Sequence, residues 1–183
     1  MTQTQTTKAK LFASLHRKGD PVILYNVWDA GSAAALAAGA KALATGSAPV
    51  ASANGYADGQ MIPMQRLFEV ARSIAGSTDL PVSIDFEGAY ATDPAEGAQN
   101  VGLLLDTGAI GLNFEDQVIG GSGLHPVAAQ AERIAAIRAM AKQRGIELFI
   151  NARTDLFLKQ KDASAHAALL PEAIARARAY AEA

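Results

Sequence analysis

Apolar residues recur along the chain in short blocks whose spacing alternates between helix-like and strand-like periods. After a polar leader, Leu11, Phe12 and Leu15 fall at helical spacing until Gly19 and Pro21 interrupt them. Residues 21–25 (Pro-Val-Ile-Leu-Tyr) form an apolar run of strand length, with Tyr25 expected in the core. An alanine-rich helix over 32–38 closes on Gly39, and 42–45 follows as a second strand. A glycine-rich stretch, 46–59, leads to a helix opening near Pro63. That helix carries Leu67, Val70, Ala71 and Ile74 on one face and ends at Gly76. The unit then repeats. Strands are predicted at 81–84, 109–114 and 147–150, and helices at 94–105, 127–143 and 170–183, with Ile134, Ile137 and Ala141 facing inward.

Strands alternating with helices predict right-handed βαβ units and a parallel sheet. Either a flavodoxin-like doubly wound sheet or a (β/α)₈ barrel of the TIM type meets this pattern. No composition shift marks a boundary, so residues 1–183 read as a single domain. A complete barrel takes ~250 residues and rarely fewer than ~200. Five strands in 183 residues are therefore expected to be about five of its eight βα units, the C-terminal units being absent. An open five-stranded sheet would fit the length without that omission.

Composition narrows the function. Only 19% of residues are charged and the formal net charge is −2, which leaves no basic stripe for nucleic acid. There is no Cys, hence no disulfide, thiol nucleophile or thiolate metal site. Alanine is abundant and aromatics make up 6%, which suits small-residue helices laid on a sheet. The N-terminus lacks an apolar signal core, and no apolar run approaches the ~20 residues that span a bilayer. A cytoplasmic protein with no membrane partner is expected.

In both candidate folds, function sits where strands end. Strand one runs into Asn26, Trp28 and Asp29, and strand two into Thr45, Gly46 and Ser47. Strand three ends on Asp85 and Glu87, strand four on Glu115 and Asp116, and strand five on Asn151, Arg153 and Asp155. Carboxylates sharing one rim repel each other and raise each other's pKa unless a cation sits among them. Oxygen-only ligation favours a hard ion, Mg²⁺ before Ca²⁺ or Zn²⁺. Arg153 is placed either to pair with an anionic substrate or to neutralise Asp155 or Glu115, and the two roles are compatible. His125, before Pro126 at a helix start, is an acid/base candidate or a solvent-facing cap. Trp28 is a candidate pocket wall. The Gly120–Gly123 segment (Gly-Gly-Ser-Gly) matches no phosphate-loop spacing and reads as a flexible loop beside the site. His16 and His166 fall on helices away from the rim.

Taken together, residues 25–30 (Tyr-Asn-Val-Trp-Asp-Ala), Thr45-Gly46-Ser47, Asp85-Phe86-Glu87 with Tyr90, Phe114–Gln117 and Asn151–Asp155 resemble the isocitrate lyase/phosphoenolpyruvate mutase superfamily, in the right order and over nearly the whole chain. The resemblance implies a (β/α)₈ barrel that binds Mg²⁺ and a 2-oxo acid or its enolate, commonly as a homo-oligomeric tetramer. It implies that Asp85, Glu87 and Glu115 hold Mg²⁺, partly through water. Thr45, Gly46 and Ser47 would take the substrate carboxylate, and Arg153 would stand beside the oxo acid. Asp58 matches an acid after strand two, and Asp29 one after strand one. The second metal-site acid is usually Asp, whereas this chain has Glu87. The loop after strand four carries neither the catalytic Cys of the isocitrate and methylisocitrate lyases nor the Lys and Asn or Thr of the mutase and phosphonopyruvate hydrolase. A Mg²⁺-dependent lyase cleaving a small 2-oxo di-acid such as oxaloacetate is the implied activity, with Arg153, Asp58 and His125 as catalytic candidates. The alternative is a non-catalytic or incomplete member that binds a carboxylate ligand or serves in an assembly.

Overall fold

The computed structural model describes residues 3–183. Five strands, β1 (Tyr25–Val27), β2 (Leu43–Thr45), β3 (Val82–Asp85), β4 (Gly111–Glu115) and β5 (Phe149–Arg153), form one parallel sheet in the order β1-β2-β3-β4-β5. A flavodoxin-like sheet reverses direction beside its first strand and would read 2-1-3-4-5. Sequential order is that of neighbouring units in a (β/α) barrel, so the doubly wound alternative is overturned. The chain forms five βα units of the TIM-barrel type.

Register and alternation divide the sheet into two chemically different faces. Leu43 pairs with Val82, Ile84 with Leu112, and Phe114 with Ala152, placing these side chains on the helix-covered face. The opposite face carries Ser83, Asp85, Asn113, Glu115, Asn151 and Arg153, with Asp85 opposite Asn113 and Glu115 opposite Arg153. Gly111 sits in this row because a Cβ there would lie 3.0 Å from the Phe149 carbonyl oxygen and 3.1 Å from Ser83 Oγ.

The helices form because their apolar residues recur at helical spacing, and those that open after Asp29 and Asp93 are also capped by that aspartate's side chain. α4 (Met64–Gly76) buries Leu67, Phe68, Val70, Ala71 and Ile74. α5 (Pro94–Leu105) starts on Asp93, whose carboxylate accepts from the Ala95 and Glu96 amides at 2.9 Å, and has Pro at its first position. It buries Val101, Leu104 and Leu105 against α6 (Val127–Gln143), which turns Ile134, Ile137 and Ala141 inward as expected. Full burial of each such aliphatic side chain contributes roughly 2 kcal/mol.

Several boundaries differ from the sequence pattern. The polar leader is helical from Gln3, and α1 (Gln3–Leu15) lies across the N-terminal ends of the strands. There, Gln5 donates to the Leu105 and Ala109 carbonyls at 2.8 Å, and Phe12 is buried beside Ile110 and Phe149. Residues 21–24 do not pair; the first strand begins at Tyr25, which is half-exposed rather than in the core. The fifth strand begins two residues later than 147 and runs three residues beyond 150, to Arg153. A two-turn helix, α3 (Ser47–Ala53), occupies the glycine-rich stretch; its Pro49 falls in the first turn, where a missing N–H does no harm. A short helix, α7 (Leu156–Lys159), follows β5. α8 (His166–Glu182) starts earlier than 170, preceded by a 3₁₀ turn at Ala163–Ala165, and contains Pro171. α2 (Ala30–Ala37) is capped by Asp29. Among the described residues, no helix is long and apolar enough to cross a membrane.

Candidate functional site

The polar rim forms where the C-terminal ends of β2, β3, β4 and β5 meet. Thr45 closes β2 and is buried; its hydroxyl accepts the Asp85 amide at 2.8 Å, so it fixes the end of β3 from the neighbouring strand. Asp85 is 7% exposed. Its Oδ2 accepts from the Ser47 amide at 3.1 Å, and its Oδ1 is buried without a hydrogen-bond partner among the described residues. Burial pushes the Asp85 carboxyl up, against the opposing pull of the Ser47 amide and the Arg153 charge. The Gly46–Ser47 segment, read as a seat for a substrate carboxylate, here turns its Ser47 amide to Asp85. A Cβ at Gly46 would lie 3.1 Å from Pro49 Cγ and 3.3 Å from Asn26 Nδ2.

Glu87 lies just beyond β3, 5% exposed, with φ 49°. Both its carboxylate oxygens accept from the Gln60 amide at 3.0 Å. Burial, followed by the charges of Asp58 and Asp85, pushes its pKa up to about 7. Asp58 thus acts electrostatically on the site from an exposed position. Glu115 is 3% exposed and in contact with the Arg153 guanidinium. Arg153 spans the rim. Its Nε and Nη2 donate to the two oxygens of Asp155 at 2.8 and 3.2 Å, and its Nη1 stands 3.9 Å from Asp85 Oδ2. The neutralising role foreseen for Arg153 is therefore present, with both Asp155 and Glu115.

Behind this rim stands a second group of acids and cations. The Asp155 amide donates to Asp116 Oδ1 at 2.9 Å. Asp116, completely buried, also accepts at Oδ2 from the Tyr180 hydroxyl at 2.8 Å and Arg176 Nη1 at 3.1 Å. Arg176 and Tyr180 belong to α8, so the last helix is tied to the ends of β4 and β5 through Asp116. The position of Asp116 after Glu115 makes it legible as a strand-end acid. Its partners on α8, some sixty residues on, are not.

The remaining candidates lie apart from the Asp85–Arg153 cluster. His125 lines a cavity of about 340 Å³ together with Gln60, Tyr90, Gln117 and Arg133. Burial, then the Arg133 cation, pulls its pKa down. That shift favours the neutral ring over the imidazolium. Trp28 follows β1, half-exposed, its amide bonded to Ser32 Oγ at 3.2 Å. Asp29 is occupied as a cap, accepting the Ser32 amide at 2.7 Å, and those bonds hold its carboxyl below the usual range. The glycine loop after β4 is closed by a bridge between Gln117 and Leu124, with the Val118 amide on the Gly123 carbonyl at 3.2 Å. It forms a compact turn. Sequence reasoning missed Gln60, a lone amide in a loop whose partners become visible only in three dimensions.

A hard divalent cation fits the residues present. Asp85 offers a buried oxygen without a hydrogen-bond partner among the described residues, and Glu87, raised first by burial and then by the charges of Asp58 and Asp85, stands beside it. No three His, Asp or Glu side chains among the described residues stand together at metal-holding separation. Mg²⁺ takes one or two carboxylates and retains several waters, so a loose set of donors suits it better than it suits Ca²⁺.

The chain is 36% identical over 147 residues to an uncharacterized Mycobacterium tuberculosis protein, covering 80% of this chain and 53% of that one. It is 35% identical over 132 residues to a Corynebacterium glutamicum protein provisionally named 2-methylisocitrate lyase 2, covering 67% of this chain and 39% of the other. It thus spans about half the length, or less, of the curated relatives it matches. Among solved structures it superposes with a TM-score of 0.93 on a Burkholderia cenocepacia protein provisionally named a phosphonomutase, at 46% identity, over 97% of this chain and 71% of that one. With 2,3-dimethylmalate lyase the TM-score is 0.80 at 26% identity, over 100% and 60% of the two chains. The model of the phosphoenolpyruvate phosphomutase family matches residues 12–183, and the chain belongs to that family.

Proposed function

We propose that this chain builds the catalytic rim of a Mg²⁺-dependent carbon–carbon lyase acting on a small 2-oxo acid, with oxaloacetate decarboxylation as the reaction to test first. The observation that carries the reading is the buried Asp85 oxygen left without a partner beside the guanidinium of Arg153. A cation and a fixed guanidinium facing the same space suit a chelating oxo acid, whose carboxylate and keto oxygens are both negative or become so during cleavage.

Asp85, Glu87 and Glu115 would hold Mg²⁺, and the ion would supply positive charge to the substrate's oxygens. Arg153 binds and orients the substrate carboxylate, and Asp155 holds the guanidinium in place by its two-point contact. Breaking the bond between C3 and C4 of oxaloacetate releases carbon dioxide and leaves the electron pair on C3 as the enolate of pyruvate. Arg153 is fixed before the reaction, so its charge needs no reorganisation as the enolate forms. A proton delivered at C3, from water or from His125, then completes pyruvate. The names of relatives support this class: 2,3-dimethylmalate lyase and a provisional 2-methylisocitrate lyase are both carbon–carbon lyases. Assembly as a homo-oligomer belongs to the same proposal and is checked by sedimentation.

A second reading, ligand binding without turnover, is favoured by one observation: the loop after β4 carries no Cys or Lys to supply a proton. Incubation with oxaloacetate, with and without EDTA, separates the two. Pyruvate formation that stops with the chelator and in Asp85→Ala supports the lyase. Oxalate binding with no pyruvate supports the second reading, and equal rates with and without EDTA would sink the metal-dependent mechanism.

A further inference from the structure

We infer that Gln60 is a positioning residue, a clasp that locks the connection between α3 and α4 onto the loop after β3 and so sets the Glu87 carboxylate in place. The loop after β3 is unusual in its backbone. Glu87, Ala89 and Tyr90 have φ of 49°, 58° and 55°, and Gln60 itself has φ of 61°, values that residues with a Cβ rarely adopt. Left-handed residues near one another turn successive amide N–H groups toward one side, forming a concave cradle for an acceptor.

That cradle is filled by Gln60. With its carboxamide oxygen turned to the loop, Gln60 accepts from the amides of Tyr90 at 2.8 Å, Gly88 at 3.1 Å and Ala89 at 3.2 Å. The Ala89 amide is shared with the Phe86 carbonyl at 2.8 Å, so Gly88 and Tyr90 depend most on Gln60. The carbonyl side of the same loop is held elsewhere. Arg133 donates to Gly88 and Ala91 at 2.7 and 2.8 Å, and Asn100 donates to Ala89 at 3.0 Å. A second stitch joins the two segments, from the Tyr90 hydroxyl to the Ile62 carbonyl at 2.8 Å. Meanwhile the Gln60 backbone amide donates to both oxygens of Glu87. One residue thus satisfies the loop's amides with its side chain and orients the loop's carboxylate with its backbone. The link from Glu87 to Mg²⁺ rests on the proposed function; the clasp does not.

Amide hydrogen exchange on the metal-free protein, together with Mg²⁺ calorimetry, tests this. Gln60→Leu keeps the bulk and removes the acceptor, Gln60→Gly keeps the left-handed φ and the backbone amide, and Gln60→Glu keeps an acceptor oxygen. Exchange at Gly88 and Tyr90 is expected to accelerate about tenfold or more in Gln60→Leu and Gln60→Gly, with amides of β3 and β4 unchanged. Gln60→Glu is expected to restore protection, which a general loss of stability would not allow. Mg²⁺ affinity is expected to fall about tenfold in Gln60→Leu. Unchanged exchange at both amides in Gln60→Leu, or no recovery in Gln60→Glu, overturns the clasp. Unchanged Mg²⁺ affinity with accelerated exchange overturns the control of Glu87. A wild-type protein that binds no Mg²⁺ overturns the proposed function, and exchange alone then decides the clasp.

Discussion

Two buried carboxylates near the same rim, Asp116 and Asp85, have opposite surroundings. Asp116 is completely buried and fully engaged, by the Asp155 amide, the Tyr180 hydroxyl and Arg176. Asp85 is almost as buried, yet one of its oxygens meets no donor and its nearest cation stands 3.9 Å away. Folding has neutralised the first acid with the chain's own groups and left the second with charge to share. The contrast separates scaffold from site better than acidity or burial does, because both acids have those.

The largest expected effect tests the scaffold half of the contrast. Asp116→Ala removes the acceptor shared by the Asp155 amide, the Tyr180 hydroxyl and Arg176, although Arg176 keeps its ion pair with Glu172 at 2.8 Å, and it is expected to lower unfolding stability by about 3 kcal/mol in denaturant titration. Asp85→Asn, by contrast, is expected to leave the metal-free protein as stable as the wild type or more so, since it removes an under-compensated buried charge. Equal losses in the two variants would erase the distinction.

Next comes pH. Glu87 has a native pKa of about 7 against 4.5 for an ordinary glutamate, so between those values the folded protein holds a proton that the unfolded chain releases. Its contribution to stability is complete below pH 4.5 and is lost as pH rises through 7. The expected decline is about 3 kcal/mol without metal. Saturating Mg²⁺ is expected to flatten it. A slope that survives in Glu87→Gln would assign the effect to another group.

Arg153→Lys removes the two-point contact with Asp155 while keeping the charge. Pyruvate formation is expected to drop about 10–100-fold, with little change in thermal stability. The smallest effect belongs to Asp29, whose role is to cap α2. Asp29→Ala is expected to lower stability by about 1 kcal/mol and to leave Mg²⁺ binding untouched.

The strand-end acids were legible because each ends an apolar run, and in a parallel sheet those ends converge wherever the strands lie in order. Asp85, Glu115 and Arg153 meet for that reason. The sequence pattern failed where the deciding interaction is between distant segments. Residues 21–24 look like a strand, but pairing starts only at Tyr25, where the neighbouring Leu43 is in register. The small residues and Pro49 of α3 resemble a loop, and only the helix's seat beside Asp85 shows its purpose. Gln60 carries no signal at all, since its partners are backbone amides about thirty residues away whose exposure depends on left-handed φ angles. The polar sheet face was partly hidden for another reason: Ser83 and Asn113 alternate with apolar residues inside predicted strands, whereas Asn151 stood out as a strand-end residue.

The position of α1 closes off one end of the sheet. By stapling the carbonyls of Leu105 and Ala109 through Gln5 and seating Phe12 under the start of β4 and β5, it forms a floor beneath the polar face. It covers the end of β4 and β5 opposite the one where Glu115 and Arg153 stand, so the charged groups of those two strands are gathered at a single end.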